Sequence, residues 1–241
     1  MTKNTLTEIR KNKVGTGLLI ENDGYISMKD GDNRLLYESI QKINEEKGDE
    51  FYCPNPFIVN AVFQKYGIEN HNGRIYPEEV LKKQVNEYQK KIEFRNSYGE
   101  SNHPESSTID LDRVSMDIQE LHWEGHTLVG KLEVITTPGF RKYGICSTPG
   151  DIVANLLMKG LQVGVSSRGV GSVTNKFGKY IVGDDYEIIC WDFVSDPSTP
   201  GAWVNSDMNK LQQFVEQKEI SKKNIVSEKK DFSKFEKWLI K

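Results

Sequence analysis

Val80, Leu81, Val85, Tyr88 and Ile92 recur at helical spacing, and Pro77 suits the first residue of the helix they predict. Elsewhere the apolar positions favour strands. Residues 57–63 have β-branched and aromatic content. Residues 114–135 read as a hairpin turned near Glu124-Gly125. Residues 151–158 read as a short helix that Gly160 stops. Residues 162–171, 177–182 and 186–194 then read as three further strands. Many short strands with two helices predict an α+β body, mostly antiparallel and barrel-like, with the helices packed on it.

The flanks differ from this body. Residues 1–50 read as a peripheral extension, with a hairpin over 14–28 turned at Asn22-Asp23-Gly24 and a short helix over 35–46. A polar stretch at 45–50 reads as a linker. The body spans 51–205 and ends on Pro197-Ser198-Thr199-Pro200-Gly201. Residues 206–241 are rich in Lys, Glu and Ser, the composition of a tail that buries little apolar surface. Two helical pieces are expected in that tail, over 208–217 and 232–240. The second carries Phe232, Phe235, Trp238 and Leu239 at helical spacing.

Composition narrows the function. Hydrophobic residues make up 37% of the 241, enough for a core, and a net charge of −3 gives no basic face for nucleic acid. No apolar run approaches the roughly 18 residues of a membrane span, and the first 31 residues lack a signal-peptide core. Three widely spaced cysteines, Cys53, Cys146 and Cys190, suit a reducing compartment and suggest neither disulfides nor a zinc site. His122 and His126 are four apart but flank a turn, so they read as exposed strand residues and not as a metal pair. His71 reads as structural. No metal or cofactor is implied.

Two stretches carry candidate chemistry: Gly99-Glu100-Ser101-Asn102-His103-Pro104 and Gly164-Val165-Ser166-Ser167-Arg168-Gly169-Val170-Gly171. One offers an imidazole and the other a serine, and a serine nucleophile needs a base to take its proton. Ser166 and Ser167 point to opposite faces of a strand, so only one can meet His103. Backbone N–H groups near Arg168 and Gly169 are candidates for holding an oxyanion, with Arg168 assisting and Ser167 supporting the loop. The alternative for Arg168 is a salt bridge to a body carboxylate. Asp192 is an unusual charge in the apolar run Cys190-Trp191-Asp192-Phe193 and needs a partner if buried. It is the expected orienting partner of His103, with Glu100 as runner-up.

These two motifs resemble those of the prohead (procapsid) proteases of tailed phages, of the T-even myovirus type. Asn70-His71-Asn72-Gly73-Arg74-Ile75-Tyr76-Pro77, Trp191-Asp192-Phe193-Val194 and Pro197-Ser198-Thr199-Pro200-Gly201-Ala202-Trp203-Val204 agree in order, so the resemblance covers about 54–204. It implies a fold like the herpesvirus assemblins and a serine endopeptidase with His103 as base and Ser166 as nucleophile. The implied substrates are scaffold (core) proteins, the major capsid protein and the enzyme itself, inside the immature capsid in the host cytoplasm. A removable tail, cut between about 206 and 231, would suit such self-processing. By charge and hydropathy no membrane or nucleic-acid partner is expected, and a homo-oligomer stays open. Two other readings stand beside it: a non-catalytic capsid-core or scaffold protein on the same body, and a serine esterase.

Overall fold

The computed structural model describes residues 8–9, 13–21, 38, 41–42, 45 and 51–206. The expected tail helices, the tail cut and the turn at Asn22-Asp23-Gly24 lie outside these residues. So does most of the helix expected over 35–46.

Two five-stranded sheets form the body. The first is centred on β7 (Gly164–Lys176), flanked by β1 (Gly15–Ile20) on one edge and by β9 (Glu187–Val194) and β8 (Lys179–Val182) on the other, with β3 (Arg74–Ile75) beyond β8. The second runs β10 (Val204–Ser206), β2 (Ile58–Lys65), β6 (Thr127–Val134), β5 (Val114–Glu124), β4 (Tyr98–Glu100). All pairings are antiparallel except β3 with β8. The sheets meet twice. Ser101 bridges Phe193 next to β4, and Gly164 bridges Trp203 next to β10. These junctions are short, so the α+β body is barrel-like without being a closed barrel.

Among the described residues three α-helices pack on this frame: α1 (Glu78–Glu93), α2 (Pro138–Tyr143) and α3 (Pro149–Met158). The α1 pattern holds, since Val80, Leu81, Val85 and Tyr88 are buried. Pro77 stands one residue before the helix and not inside it. Thr148 and Asp151 form a reciprocal capping box on α3, satisfying two backbone donors at its start. Tyr88 of α1 and Phe63 of β2 meet Trp191 edge-on, which fixes the inner face of β9.

The expectation that residues 1–50 are peripheral fails at β1. Leu18 and Leu19 are buried, and the strand pairs residue by residue with β7 from Gly15↔Val173 to Ile20↔Arg168. An isolated hairpin would bury little, whereas an edge of a large sheet offers both backbone partners and a core face. Helix α2 and strands β3, β4 and β10 were not expected. Each is six residues or fewer, too short to show a period.

Candidate active site

The site begins with the pairing of β7 and β9. Ser166 lies opposite Asp192, and Arg168 opposite Cys190. Opposed residues of an antiparallel pair share a face, so Ser166, Arg168, Cys190 and Asp192 project together. Ser167 lies opposite Trp191 and belongs to the other face. It is buried, on the side of the Tyr186 hydroxyl.

Strand β4 brings the second motif to the same face. A side chain at Gly99 would collide with the Trp191 carbonyl, 2.0 Å from an ideal Cβ, so glycine allows β4 to approach β9 this closely. The approach lets the Glu100 N–H donate to Asp192 Oδ1 at 2.8 Å. The chain then turns through two left-handed residues, Asn102 (φ 66°) and His103 (φ 30°). Such conformations cost about 1–3 kcal/mol each and persist where surrounding contacts hold them. Here the Asn102 N–H donates to the Phe193 carbonyl at 2.9 Å. The turn aims the imidazole inward, and His103 Nδ1 lies 2.6 Å from Asp192 Oδ2. With Nδ1–H donating, Nε2 is left as the acceptor. It is buried without a partner.

Asp192 is the hub of this buried cluster. Arg168 Nε donates to its Oδ2 at 2.9 Å, and Cys190 Sγ to its Oδ1 at 3.2 Å. Burial by itself would raise the Asp192 carboxyl. The His103 hydrogen bond and the charges of His103 and Arg168 outweigh it and hold the group below the usual aspartate value. Cys190, by contrast, is pushed far up by burial and by the Asp192 charge, so it stays a neutral thiol. Arg168 also binds Glu100 Oε2 in a short ion pair and donates from Nη1 to the Ser106 carbonyl at 2.7 Å. Glu100 accepts the Asp110 N–H at 2.8 Å.

These contacts bear on two expectations. Every guanidinium nitrogen of Arg168 is engaged inside the protein, in ion pairs with Asp192 and Glu100 and a hydrogen bond to the Ser106 carbonyl, so the salt bridge weighed for it is present. Gly169 lies between Leu19 of β1 and Ile188 of β9. Its missing side chain makes room for the Tyr186 ring and the Glu187 carbonyl, 2.5 and 2.6 Å from an ideal Cβ. The glycine serves close packing, and its backbone faces neighbouring strands. Glu100 pairs with Arg168, while His103 Nδ1 pairs with Asp192.

Among the described residues no hydrogen bond links Ser166 to His103. The Ser166 hydroxyl, 1% exposed, donates instead to the main-chain carbonyl of Glu21 in a short contact. Glu21 follows β1, and its N–H extends the ladder to the Ser167 carbonyl at 3.2 Å. Its carboxylate is fully buried. Oε1 accepts from Arg74 Nη1 at 2.7 Å and from the Tyr76 hydroxyl. Oε2 accepts from Asn70 at 2.6 Å, Asn72 at 2.8 Å and the Ser198 hydroxyl at 2.8 Å. Burial opposes the charge of Glu21, but Arg74, Tyr76 and Asn72 outweigh it and hold the carboxyl below the ordinary value of 4.5.

The sequence reading missed this second cluster. A signal was present: Asn70, Asn72, Arg74 and Tyr76 alternate as donors every second residue. Their common partner lay some 50 residues upstream, where no pattern pointed to it.

A pH effect follows from the Glu21 contacts. A carboxyl with a depressed native value contributes stability above its unfolded value, and that contribution is lost as pH falls through the native value. Acidification below about 4.5 is therefore expected to loosen β1 before the rest of the first sheet. Hydrogen exchange would show it as faster exchange at Leu18 and Leu19 than at β9, with Glu21→Gln removing most of the difference. Uniform acid exchange across β1 and β9 would count against the assignment.

His122 and His126 are exposed at the β5–β6 turn, and no cluster of metal-ligating side chains occurs among the described residues. Known proteins are similar to this chain in sequence and in fold. The profile of a family described as prohead core protein serine protease matches residues 18–213. The prohead core protein protease of Enterobacteria phage T4 is 28% identical over 172 residues, covering 70% of this chain and 77% of that protein. The solved structure of the bacteriophage T4 capsid assembly protease overlays with a TM-score of 0.56 at 24% identity, covering 74% of this chain and 98% of that one. The matched segment contains both buried clusters, and the chain belongs to the prohead core protein serine protease family.

Proposed function

We propose that the chain is a serine endopeptidase that cuts after glutamate, with Ser166 as nucleophile, His103 as general base and Asp192 as its orienting partner. The observation that carries this reading is the position of Glu21. Its carbonyl meets the Ser166 hydroxyl while its carboxylate fills a buried pocket of one cation and four neutral donors. That is the arrangement of a substrate residue whose following peptide bond is to be broken, and the substrate is the chain's own Glu21–Asn22 bond.

The chemistry follows from the contacts. The Ser166 proton moves to His103 Nε2, the free acceptor, as Oγ attacks the Glu21 carbonyl carbon. The imidazolium so formed is stabilised by Asp192 through Nδ1–H. The proton then passes to the leaving Asn22 amine, and water releases the Glu21 carboxylate from the acyl-enzyme. Arg168 balances Asp192 and Glu100, so the buried cluster becomes neutral overall when His103 is protonated. Arg168 is thus a positioning residue.

By the same pocket the enzyme would cut scaffold and capsid-protein propeptides after glutamate inside the prohead. Those segments would add to the β7 edge in place of β1. The scaffold-protein reading leaves the buried His103–Asp192 pair without a role, and an esterase would not need a six-residue strand leading to its serine.

Intact-mass measurement tests the reading. A Ser166-dependent break between Glu21 and Asn22 is expected, and a full-length chain under conditions in which scaffold is cut would overturn the self-cleavage. Glu21→Gln keeps the shape but loses the charge facing Arg74. Hydrogen bonds to charged groups contribute about 1.5–3 kcal/mol, so self-cleavage should slow by about 10- to 100-fold. An unchanged rate would mean that the pocket does not select glutamate.

A further inference from the structure

Beside the site lies a cavity of about 360 Å³ whose walls include Ile152 and Leu156 of α3, Val163, Val194, Asn102 and Arg113. Its size falls in the range of ligand pockets, and the site described above does not use it. We infer that this cavity is the subsite for an apolar side chain on the far side of the scissile bond, in the residues that follow the cleaved glutamate. The inference rests on the protease reading above and adds a second determinant of substrate choice.

Chain direction leads there. The strand ending at Glu21 runs antiparallel to β7, from Gly15↔Val173 to Ile20↔Arg168 and on to the Ser167 carbonyl. A substrate passing the scissile bond therefore advances toward the start of β7, where Val163 lines the cavity. It cannot stay in the ladder. The Val165 N–H already donates to the Ala202 carbonyl at 2.8 Å, and the Val204 N–H to the Val163 carbonyl at 3.0 Å. The β9 edge is also filled, by Gly164↔Val194 and Val165↔Phe193. The departing chain must rise over the face that carries Ser166, Asp192 and Val194, which share a side by alternation. Asn102, the neighbour of His103, also lines the cavity.

The lining chemistry specifies the occupant. Ile152 and Leu156 are one helical turn apart on α3, and Ile152 is 54% exposed. Covering them with an apolar side chain removes apolar surface from water. Arg113 donates from Nη2 to the Ser101 carbonyl at 3.0 Å, but its buried Nε has no partner. An N–H left in that state suits a main-chain carbonyl of an extended peptide passing the cavity mouth.

The test compares two substrates on the enzyme prepared as the whole chain and allowed to process itself. One is a peptide of residues 15–28 in which each of positions 22–27 is replaced in turn by Leu or Asp. The other carries residues 15–21 with a dye amide after Glu21, so it has nothing to place in the cavity. Wild-type enzyme should prefer Leu over Asp about tenfold or more in kcat/KM at one of the six positions. Ile152→Asp, a change at an exposed site, should abolish that preference while leaving dye-amide turnover unchanged. Arg113→Met should lower kcat/KM for the long peptide several-fold and spare the dye amide. Cleavage of the parent peptide after Glu21 with equal rates at every position, or a preference that persists in Ile152→Asp, overturns the subsite and leaves the protease reading intact. No turnover of either substrate by wild type would overturn the protease reading, and the subsite with it.

Discussion

Ser166→Ala is expected to abolish cleavage, both of Glu21–Asn22 in its own chain and of scaffold protein, while the fold survives. Ser166 shares a face with Asp192 and His103, and its hydroxyl already meets the Glu21 carbonyl. Loss of a nucleophile that acts in one unit with its base can cost about 10⁶ in rate. The structural cost is small by comparison, since one hydrogen bond contributes about 1 kcal/mol. His103→Ala should be equally damaging, and the double variant should be no worse than either single one, because the two act on one proton. Ser167→Ala should keep activity, since that hydroxyl lies on the opposite face. Measured turnover in Ser166→Ala together with loss in Ser167→Ala would move the nucleophile by one residue.

The second large effect is expected from Asp192→Asn. An amide in place of the carboxylate can present the wrong partner to His103 Nδ1 and cannot stabilise the imidazolium, a loss of as much as about 10⁴ in rate. Asp192 also holds Arg168, so stability should fall too, by roughly 3–5 kcal/mol if the buried pair is broken outright. The two effects separate by measurement: kcat at a temperature where circular dichroism shows the variant folded, and Tm alongside. Glu100→Gln supplies the contrast. It disturbs the Glu100–Arg168 pair, so Tm should drop, but it leaves the His103–Asp192 hydrogen bond in place, and kcat of the folded fraction should change far less. A Glu100→Gln enzyme slower than Asp192→Asn would reassign the orienting role.

The proposed cut after Glu21 places a self-processing site far from the tail. Residues 206–241 are rich in Lys, Glu and Ser, which suits a removable segment at the C-terminal side. On the proposed reading a bond at the N-terminal side is presented to Ser166, because β1 lies along β7 as a substrate strand would. Cleavage there separates residues 1–21 from the rest of the chain. The new N-terminus at Asn22 would no longer be tied to the Glu21 carbonyl, and the β7 edge could then exchange its own product for another glutamate-bearing strand.

Local pattern determined much of this protein. The 3.6-residue period marked α1, the turn at Glu124-Gly125 marked the β5–β6 hairpin, and the run Glu187–Val194 showed Asp192 as a charge with no local explanation. Each of these depends on neighbours within one element, so sequence order alone carries it. The partners of the charges were beyond that reach. Whether Arg168 faced a substrate or a carboxylate depended on β4 approaching β9, which turns on the absence of a side chain at Gly99. Whether residues 1–50 were peripheral depended on β1 finding the β7 edge some 150 residues away, a contact with no signature in the strand itself. The glutamate pocket is the clearest case. Its donors at 70, 72, 74, 76 and 198 and its occupant at 21 come from three distant segments, and only the sheet that aligns β1 and β7, with the Asn70–Tyr76 segment and Ser198 brought against its end, puts one carboxylate within reach of all five. A charge can be read from sequence as a need for a partner, but the low dielectric that makes the need urgent, and the partner that meets it, arise only when the chain is folded.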